Sequence, residues 1–169
     1  MQFRDLRLED AAALLDFELV NRTWFERTVE ARKEAFYTLE GVQAHVTECL
    51  DGYVRGTLHP LVMVDADGSI AGRANLRFID QAQGSCEIGY RIAKQHCGQG
   101  WASASVRHMQ QLAYETWRLA LVQAYASVEK PASASVLEKN GFVRQELVRE
   151  RSIVQGRPLD SYRYHHTSV

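Results

Sequence analysis

Residues 87–117, EIGYRIAKQHCGQGWASASVRHMQQLAYETW, decide how the rest of the chain folds. In its N-terminal part, the apolar residues Ile88, Tyr90 and Ile92 occupy every second position, which predicts a half-buried strand. In the second half, apolar side chains recur at steps of three or four, which predicts an amphipathic helix over 102–117. Two glycines lie between these patterns. The stretch therefore predicts a strand, a short glycine loop and a helix.

The glycine loop reads Gln95-x-x-Gly98-x-Gly100 and is followed by Trp101 and Ala102. The first turn of a helix leaves backbone N–H groups without partners, and the helix dipole adds partial positive charge there. Glycines remove the Cβ atoms that would keep a phosphate away from those groups. The loop is therefore predicted to hold a pyrophosphate. The alternative is an ordinary strand-to-helix turn that uses glycines for its geometry.

Two other phosphate motifs fit the loop poorly. A Walker-type loop ends in Gly-Lys-Ser/Thr, whereas this one continues as Gly100-Trp101-Ala102. A dinucleotide fingerprint belongs to an early βαβ unit, whereas this loop lies past mid-chain. Cys97, which adjoins Gly98 and Gln99, suggests a nucleophile, but no histidine stands at a recognisable spacing. A small residue in a turn is the favoured interpretation of Cys97.

Composition limits the classes of function. The chain has 169 residues, 46% hydrophobic and 24% charged, which suits one soluble domain. A net charge of -1 argues against nucleic acid as a partner. No apolar run is long enough for a membrane helix, and Asp5 stands where a signal peptide would begin its apolar core. Three scattered cysteines argue against a disulfide scaffold, and the histidines show no metal spacing. We expect a cytoplasmic protein without a metal.

The remaining patterns predict an α+β fold. The N-terminal part is predicted to form a strand over 3–8, a helix over 11–19 that Asp10 caps and 21–23 breaks, and helices over 28–38 and 41–51. An antiparallel meander over 61–64 and 69–79 then delivers the strand at Glu87. After the long helix come a buried strand over 119–128, parallel to the Glu87 strand, a helix over 132–140, and strands over 143–153 and 158–166.

A second motif follows the parallel strand. Residues 131–142 read PASASVLEKNGF, with Pro131 suited to a helix start and Gly141 to the left-handed cap at its end. With the glycine loop before it, this motif resembles the GNAT superfamily of N-acetyltransferases, in the ribosomal-protein-alanine N-acetyltransferase branch. The resemblance covers nearly the whole chain, residues 1–169. It implies one GNAT-like domain, with a mixed, mostly antiparallel central sheet flanked by helices and a splayed parallel strand pair.

The resemblance also implies a co-substrate, acetyl-CoA, held between the splayed strands. Its pantetheine arm would lie against the backbone near Tyr90, Arg91 and Ile92. Its pyrophosphate would bind the N–H groups of the loop from Gln95 through Ala102, which comprises Gln95, Cys97, Gly98, Gln99, Gly100, Trp101 and Ala102.

Acetyl transfer to an amine requires a base for the amine proton and a proton for the leaving thiolate. Glu87 lies on the strand that supplies the base in the family, and Ser133 matches the motif serine that would protonate the thiolate. Each has a simpler alternative: a strand glutamate paired with a basic neighbour, and a hydroxyl that satisfies the first helical turn. Lys130 replaces the usual asparagine, so it loses the helix cap and offers an ammonium either to the cofactor or to an acidic group of the substrate. Ser135 replaces a frequent arginine.

The resemblance leaves the acceptor amine open. It could be a protein N-terminal α-amine or a small molecule such as a polyamine, an amino acid or an antibiotic. Acceptor pockets in this fold lie near the early helices, here Trp24 and Phe25, and near the final hairpin, here Asp160 and Tyr162. A catalytically idle acyl-CoA-binding module and a nucleotide-binding protein are the competing classes. Exposed strand edges would also allow a homodimer.

Overall fold

A computed structural model describes residues 1–168. In this range the chain forms seven strands: β1 (Gln2–Asp5), β2 (Leu58–Val64), β3 (Ile70–Asp80), β4 (Ser85–Ile92), β5 (Leu121–Ser127), β6 (Val143–Val154) and β7 (Arg157–Thr167). The α-helices of the same range are α1 (Ala11–Glu26), α2 (Leu39–Val54), α3 (Trp101–Gln111) and α4 (Pro131–Lys139). A π-helical turn, Leu112–Thr116, extends α3. The predicted α+β class is confirmed.

The strands form one mixed sheet in the order β1-β2-β3-β4-β5-β7-β6. Neighbours are antiparallel except β4 and β5, which are parallel because α3 crosses over between them. Their pairing extends only from Ser85 opposite Leu121 to Glu87 opposite Gln123. Beyond Glu87, β4 continues beside β3 and β5 beside β7, so a gap opens between them. The predicted splayed parallel pair is confirmed.

The two faces of β4 serve two different cores. Ile88 and Ile92 are buried in the core beneath α3 and α4. Side chains alternate along a strand, so Glu87, Gly89 and Arg91 point to the opposite face, which α1 and α2 cover. The β3–β4 register is continuous from Glu87 to Ile92. No bulge therefore reverses the direction of Glu87.

The prediction that α1 ends near Leu19 and breaks at 21–23 is wrong, because the helix continues to Glu26. The reason is the tertiary role of Asn21. Its side-chain amide donates to the Phe17 carbonyl oxygen (2.9 Å), and its oxygen accepts from the Lys94 N–H (2.9 Å). A residue that competes with helix in isolation is thus fully paired when the loop after β4 packs against it.

The predicted helix over 28–38 is also wrong, because this segment contains only a 3₁₀ turn, Glu34–Tyr37. The turn packs so closely on the start of α2 that a Cβ atom on Gly41 would lie 2.0 Å from the Ala35 carbonyl oxygen. Thr38 then caps α2 by accepting the Gly41 N–H (3.0 Å). This close packing ends any regular helix before residue 38.

At the N-terminus, the first strand ends at Asp5 instead of continuing to residue 8. Asp10 does not cap α1 with its side chain; its carboxylate accepts the Arg7 N–H (2.8 Å) and pairs with Arg4 (2.7 Å). The meander, the parallel strand, the helix that starts at Pro131 and the final hairpin follow the predictions to within a few residues.

Candidate active site

A cavity of about 1270 Å³ lies where β4 and β5 separate. Both faces of β4 line it, with Ile88 and Tyr90 on one face and Gly89 and Arg91 on the other. Residues 28–32 and α2 bound it on one side of the sheet, and β5 and the first turn of α4 bound it on the other. The cavity therefore connects the two sides of the sheet through the gap.

The glycine loop follows the open end of β4. Gly98 (φ +76°) and Gly100 (φ +82°) both adopt the left-handed conformation, and a Cβ atom on either would meet nothing within 4 Å. The glycines are therefore required by the backbone conformation, and the space above them is open. α3 begins at Trp101 with no side-chain cap at Gly100. Its first-turn N–H groups are thus suited to an anion.

The side chains of the loop offer fewer contacts to a bound ligand than its backbone does. Gln95 and Gln99 are exposed, and the Gln99 amide donates to the Gln95 carbonyl oxygen (2.8 Å). Trp101 is buried and stacks on His96 with ring centroids 4.3 Å apart, so only its backbone can face a ligand. Burial raises the pKa of the Cys97 thiol, which is the opposite of what activates a nucleophile.

The first turn of α4 faces the same cavity. Lys130 precedes Pro131 and does not cap the helix, as predicted from its lack of an acceptor atom. Burial lowers the pKa of Lys130, and the positive charge of Arg91 acts in the same direction. Ser133 and Tyr90 both line the cavity. Burial raises the pKa of the Tyr90 phenol, so it stays protonated at neutral pH.

Glu87 lies at the fork where β4 and β5 part and is 8% exposed. One carboxylate oxygen accepts from Arg77, whose Nε lies 3.0 Å away, and the other lies 3.4 Å from Arg151. The Arg151 guanidinium also stacks over the Tyr125 ring at 4.5 Å. Arg77, Arg151 and Tyr125 line the cavity. Glu87 is therefore paired with basic neighbours, as the simpler alternative predicted. Its role as a base stays a prediction.

A second carboxylate with basic partners lies on the α1–α2 side. Glu18 is 0% exposed and contacts Arg73 (2.9 Å), Arg91 (3.4 Å) and Arg32 (3.5 Å). Arg73 also donates to Nε2 of His45 (2.8 Å). We call these five residues the arginine cluster. Its three arginines and His45 line the cavity.

The cluster carries more positive than negative charge, since three guanidiniums surround one carboxylate. Burial lowers the pKa of Arg32 to about 10, and the charge of Arg73 adds to this effect. Burial also lowers the pKa of His45 to about 3, with further contributions from Arg73, Arg32 and Arg91. His45 is therefore neutral, which allows its Nε2 to accept the hydrogen bond from Arg73.

The sequence analysis missed most of these side chains. Arg73, Asn75 and Arg77 alternate along β3 and line the cavity, and this polar face of an internal strand was the available signal. Glu18 gave no signal, because a glutamate in a helix usually faces solvent. The predicted acceptor residues Trp24, Phe25, Asp160 and Tyr162 do not line the cavity. Their neighbours Thr28 and Ser161 do.

An open sheet with a glycine loop at the wide end of a splayed parallel pair defines a class of acyl-transferring enzymes. A family model described as acetyltransferase (GNAT) domain matches residues 1–143. The chain belongs to this family, which makes it an N-acetyltransferase by family. The predicted family is thereby confirmed.

Individual relatives agree with this assignment. The "Probable N-acetyltransferase YjcK" of Bacillus subtilis is 28% identical over 155 residues, which cover 90% of this chain and 86% of that protein. The ribosomal-protein-S5-alanine acetyltransferase from Vibrio fischeri has a TM-score of 0.94 at 20% identity, covering 98% of this chain and 92% of that chain.

Two further solved structures share the fold. RimJ of Mycobacterium smegmatis, in complex with CoA-disulfide, has a TM-score of 0.90 at 22% identity and covers 98% of this chain and 81% of its own. The spermidine N-acetyltransferase SpeG from Vibrio cholerae has a TM-score of 0.80 at 21% identity, covering 99% of this chain and 95% of its own.

Within residues 1–168, histidine, cysteine, aspartate and glutamate side chains form no group of three or more that could hold a metal ion. Across the same range, the helices lack the length and apolar character of a membrane span.

Proposed function

We propose that the protein transfers the acetyl group of acetyl-CoA to a primary amine, which attacks the thioester directly. The observation that carries this proposal is the cavity at the gap between β4 and β5, together with the open glycine loop that follows β4 in the chain. The Mycobacterium smegmatis structure supports it, because a protein of the same fold is there in complex with CoA-disulfide.

The residues present fit acetyl-CoA. The β4 backbone from Tyr90 to Ile92 has no β5 partner, so its groups can bind the pantetheine arm as a neighbouring strand would. The uncapped N-terminus of α3 and the open space above Gly98 and Gly100 suit the pyrophosphate. Lys130, beside the same cavity, adds a cation in place of the usual asparagine.

Acetyl-CoA supplies the activated acetyl group, and the chain supplies proton transfer. Glu87 is the proposed base, because it is a buried carboxylate at the fork of the gap. Its contact with Arg151 is long (3.4 Å), which leaves a lone pair for a bridging water that would take the amine proton. Ser133, which lines the opposite side of the gap, is the proposed proton donor to the thiolate.

Two alternatives remain distinguishable from this proposal. The fold is shared by enzymes named for a ribosomal protein and for spermidine, so a peptide N-terminus and a small amine are both candidate acceptors. An idle acyl-CoA-binding module is the alternative of a different class. It would bind acetyl-CoA but release no thiol with any amine.

The first prediction concerns the glycine loop. Gly98→Trp should abolish acetyl-CoA binding, because the indole would fill the open space above the loop and φ +76° is strained for any side chain. Isothermal titration of the purified protein with acetyl-CoA measures this effect.

Gly156→Trp is the matched control. Gly156 has φ +75°, also has nothing within 4 Å of an added Cβ atom, and lies in the β6–β7 turn away from the loop. Equal loss of binding in both variants would show that strain, and not the site, is responsible. No binding by the native protein at millimolar acetyl-CoA would overturn the proposed function.

A further inference from the structure

We propose that the arginine cluster binds a carboxylate of the acceptor, so that the substrate is a primary amine that carries an acidic group, preferably an acidic N-terminal peptide. This inference rests on the proposed function and specifies its acceptor. It predicts discrimination against a polyamine, whose cations the cluster would repel.

The first argument is the unused hydrogen-bonding capacity of the cluster. Arg73 is 4% exposed and gives one terminal nitrogen to Glu18 and the other to His45. Its Nε is buried and has no hydrogen-bond partner within residues 1–168, and the same holds for Nε of Arg32. Buried donors are normally paired, so the two unpaired guanidinium N–H groups beside a cavity indicate a ligand with acceptor oxygens.

The second argument is charge. A buried charge is stable only when it is compensated, and one carboxylate compensates only one of the three guanidiniums. Basic side chains also dominate the cavity wall: within the described chain they outnumber acidic ones seven to three, the acidic residues being Glu30, Glu48 and Asp80. An anion bound at the arginine cluster would compensate part of this excess positive charge.

The third argument concerns the length of the acceptor. Glu87 and Arg91 are four positions apart on one face of β4, which corresponds to about 13 Å along a strand. An extended peptide spans at most about 3.5 Å per residue, so an amine near Glu87 and a carboxylate near Arg91 would be about four residues apart. A free amino acid is too short to reach both.

Asn75 supplies a further contact between these two ends. It lies opposite Gly89 on the neighbouring strand and lines the cavity. Its side-chain oxygen is buried and accepts no hydrogen bond within the described residues. A backbone N–H of a bound peptide would satisfy this acceptor, which favours a peptide over a smaller acidic amine.

The test compares C-terminally amidated alanine hexapeptides, which have no terminal carboxylate and differ only at one internal position. Peptides with a single Asp at the second, third, fourth or fifth position are assayed by thiol release with acetyl-CoA, beside the same peptides with Asn or Lys, free glutamate and spermidine. We expect kcat/KM for the best Asp peptide to exceed that for its Asn match by about tenfold or more, as expected for hydrogen bonds between charged groups. Preference for free glutamate would overturn the inference of a peptide acceptor, because a free amino acid is too short to reach both Glu87 and Arg91.

Arg91→Gln should reduce the Asp-to-Asn ratio to about twofold, because it removes one guanidinium that faces the cavity. The ratio is measured within one preparation, so partial loss of folded protein does not affect it. Arg22→Gln is the control, since Arg22 pairs with Glu26 and Glu34 and does not line the cavity. It should keep the full ratio. Equal rates for Asp and Asn peptides in the native protein, or a preference for Lys peptides or spermidine, would overturn the inference.

A binding measurement separates this inference from the proposed function. If no amine is acetylated, the proposed function fails, and the protein is then saturated with CoA and titrated with the Asp and Asn peptides in a calorimeter. Binding of the Asp peptide that Arg91→Gln weakens by about tenfold would still support the carboxylate site. Equal binding of the two peptides would overturn it.

Discussion

Two buried carboxylates, Glu18 and Glu87, pair with arginines that line the cavity, and their surroundings differ. Glu18 is surrounded by three arginines, and two of them, Arg73 and Arg91, come from strand stretches in continuous register. Glu87 has two arginine partners, Arg77 and Arg151, and each lies next to a bulge. The first arrangement is fixed by regular structure, whereas the second depends on local irregularities.

The bulges have a recognisable backbone signature. Phe78 follows Arg77 with φ 51°, and Glu150 precedes Arg151 with φ 48°. A left-handed conformation is costly for residues with a Cβ atom, and such residues are concentrated where function requires a particular side-chain direction. Under the two proposals above, Glu18 organises the carboxylate-binding surface, while the arginine partners of Glu87 are positioned by these two bulges.

The largest expected effect is on stability at Glu18. Glu18→Gln should lower the free energy of unfolding by about 3–5 kcal/mol, because it leaves buried guanidiniums without a counter-charge. Urea denaturation measures the loss. Glu26→Gln is a suitable control, since Glu26 forms a more exposed i,i+4 pair with Arg22 and should cost no more than about 0.5 kcal/mol. A similar small loss for both variants would show that the cluster is not electrostatically coupled.

The next effect concerns catalysis at Glu87. Glu87→Gln should lower kcat by about 10²-fold or more by removing the proposed base, and it should leave acetyl-CoA affinity unchanged. Steady-state thiol release and titration with acetyl-CoA provide the two measurements. An unchanged kcat would remove Glu87 from the mechanism and leave only its ion pairs. No turnover even in the native protein would favour the idle binding module.

The smallest effect is the pH dependence that His45 contributes. Because its pKa falls from 6.5 to about 3 on folding, the unfolded chain binds the proton more readily between these values. The stability contribution of neutral His45 is therefore present above pH 6.5 and is lost as pH falls. Between pH 6.5 and 4.5 the loss should be about 2 kcal/mol. The urea midpoint of the native protein should fall as the pH is lowered across this range, and the midpoint of His45→Gln should fall less. An equal fall in the two proteins would contradict this role of His45.

Local sequence patterns predicted the fold well where the conformation of a segment depends mainly on residues within that segment. The alternation at Ile88, Tyr90 and Ile92, the loop glycines and the Pro131 helix start were all sufficient, because each depends on neighbours in sequence. The same reasoning failed at residues 28–38 and at Asn21. At Asn21, a contact with the distant Lys94 satisfies a group that would otherwise have ended the helix, whereas close packing between Ala35 and Gly41 decides the backbone before residue 38.

The sequence by itself determined the family, the order of the elements and the loop suited to a pyrophosphate, because these follow from short-range spacing and from two motifs. Only the tertiary structure decided what surrounds the carboxylates. Glu18 is 55 residues from Arg73 and 73 from Arg91 along the chain, and Glu87 is 64 from Arg151. A local sequence pattern cannot predict contacts between residues so far apart along the chain. The charge on the α1–α2 side of the cavity therefore follows from how the helices and strands pack, and no single segment of sequence determines it.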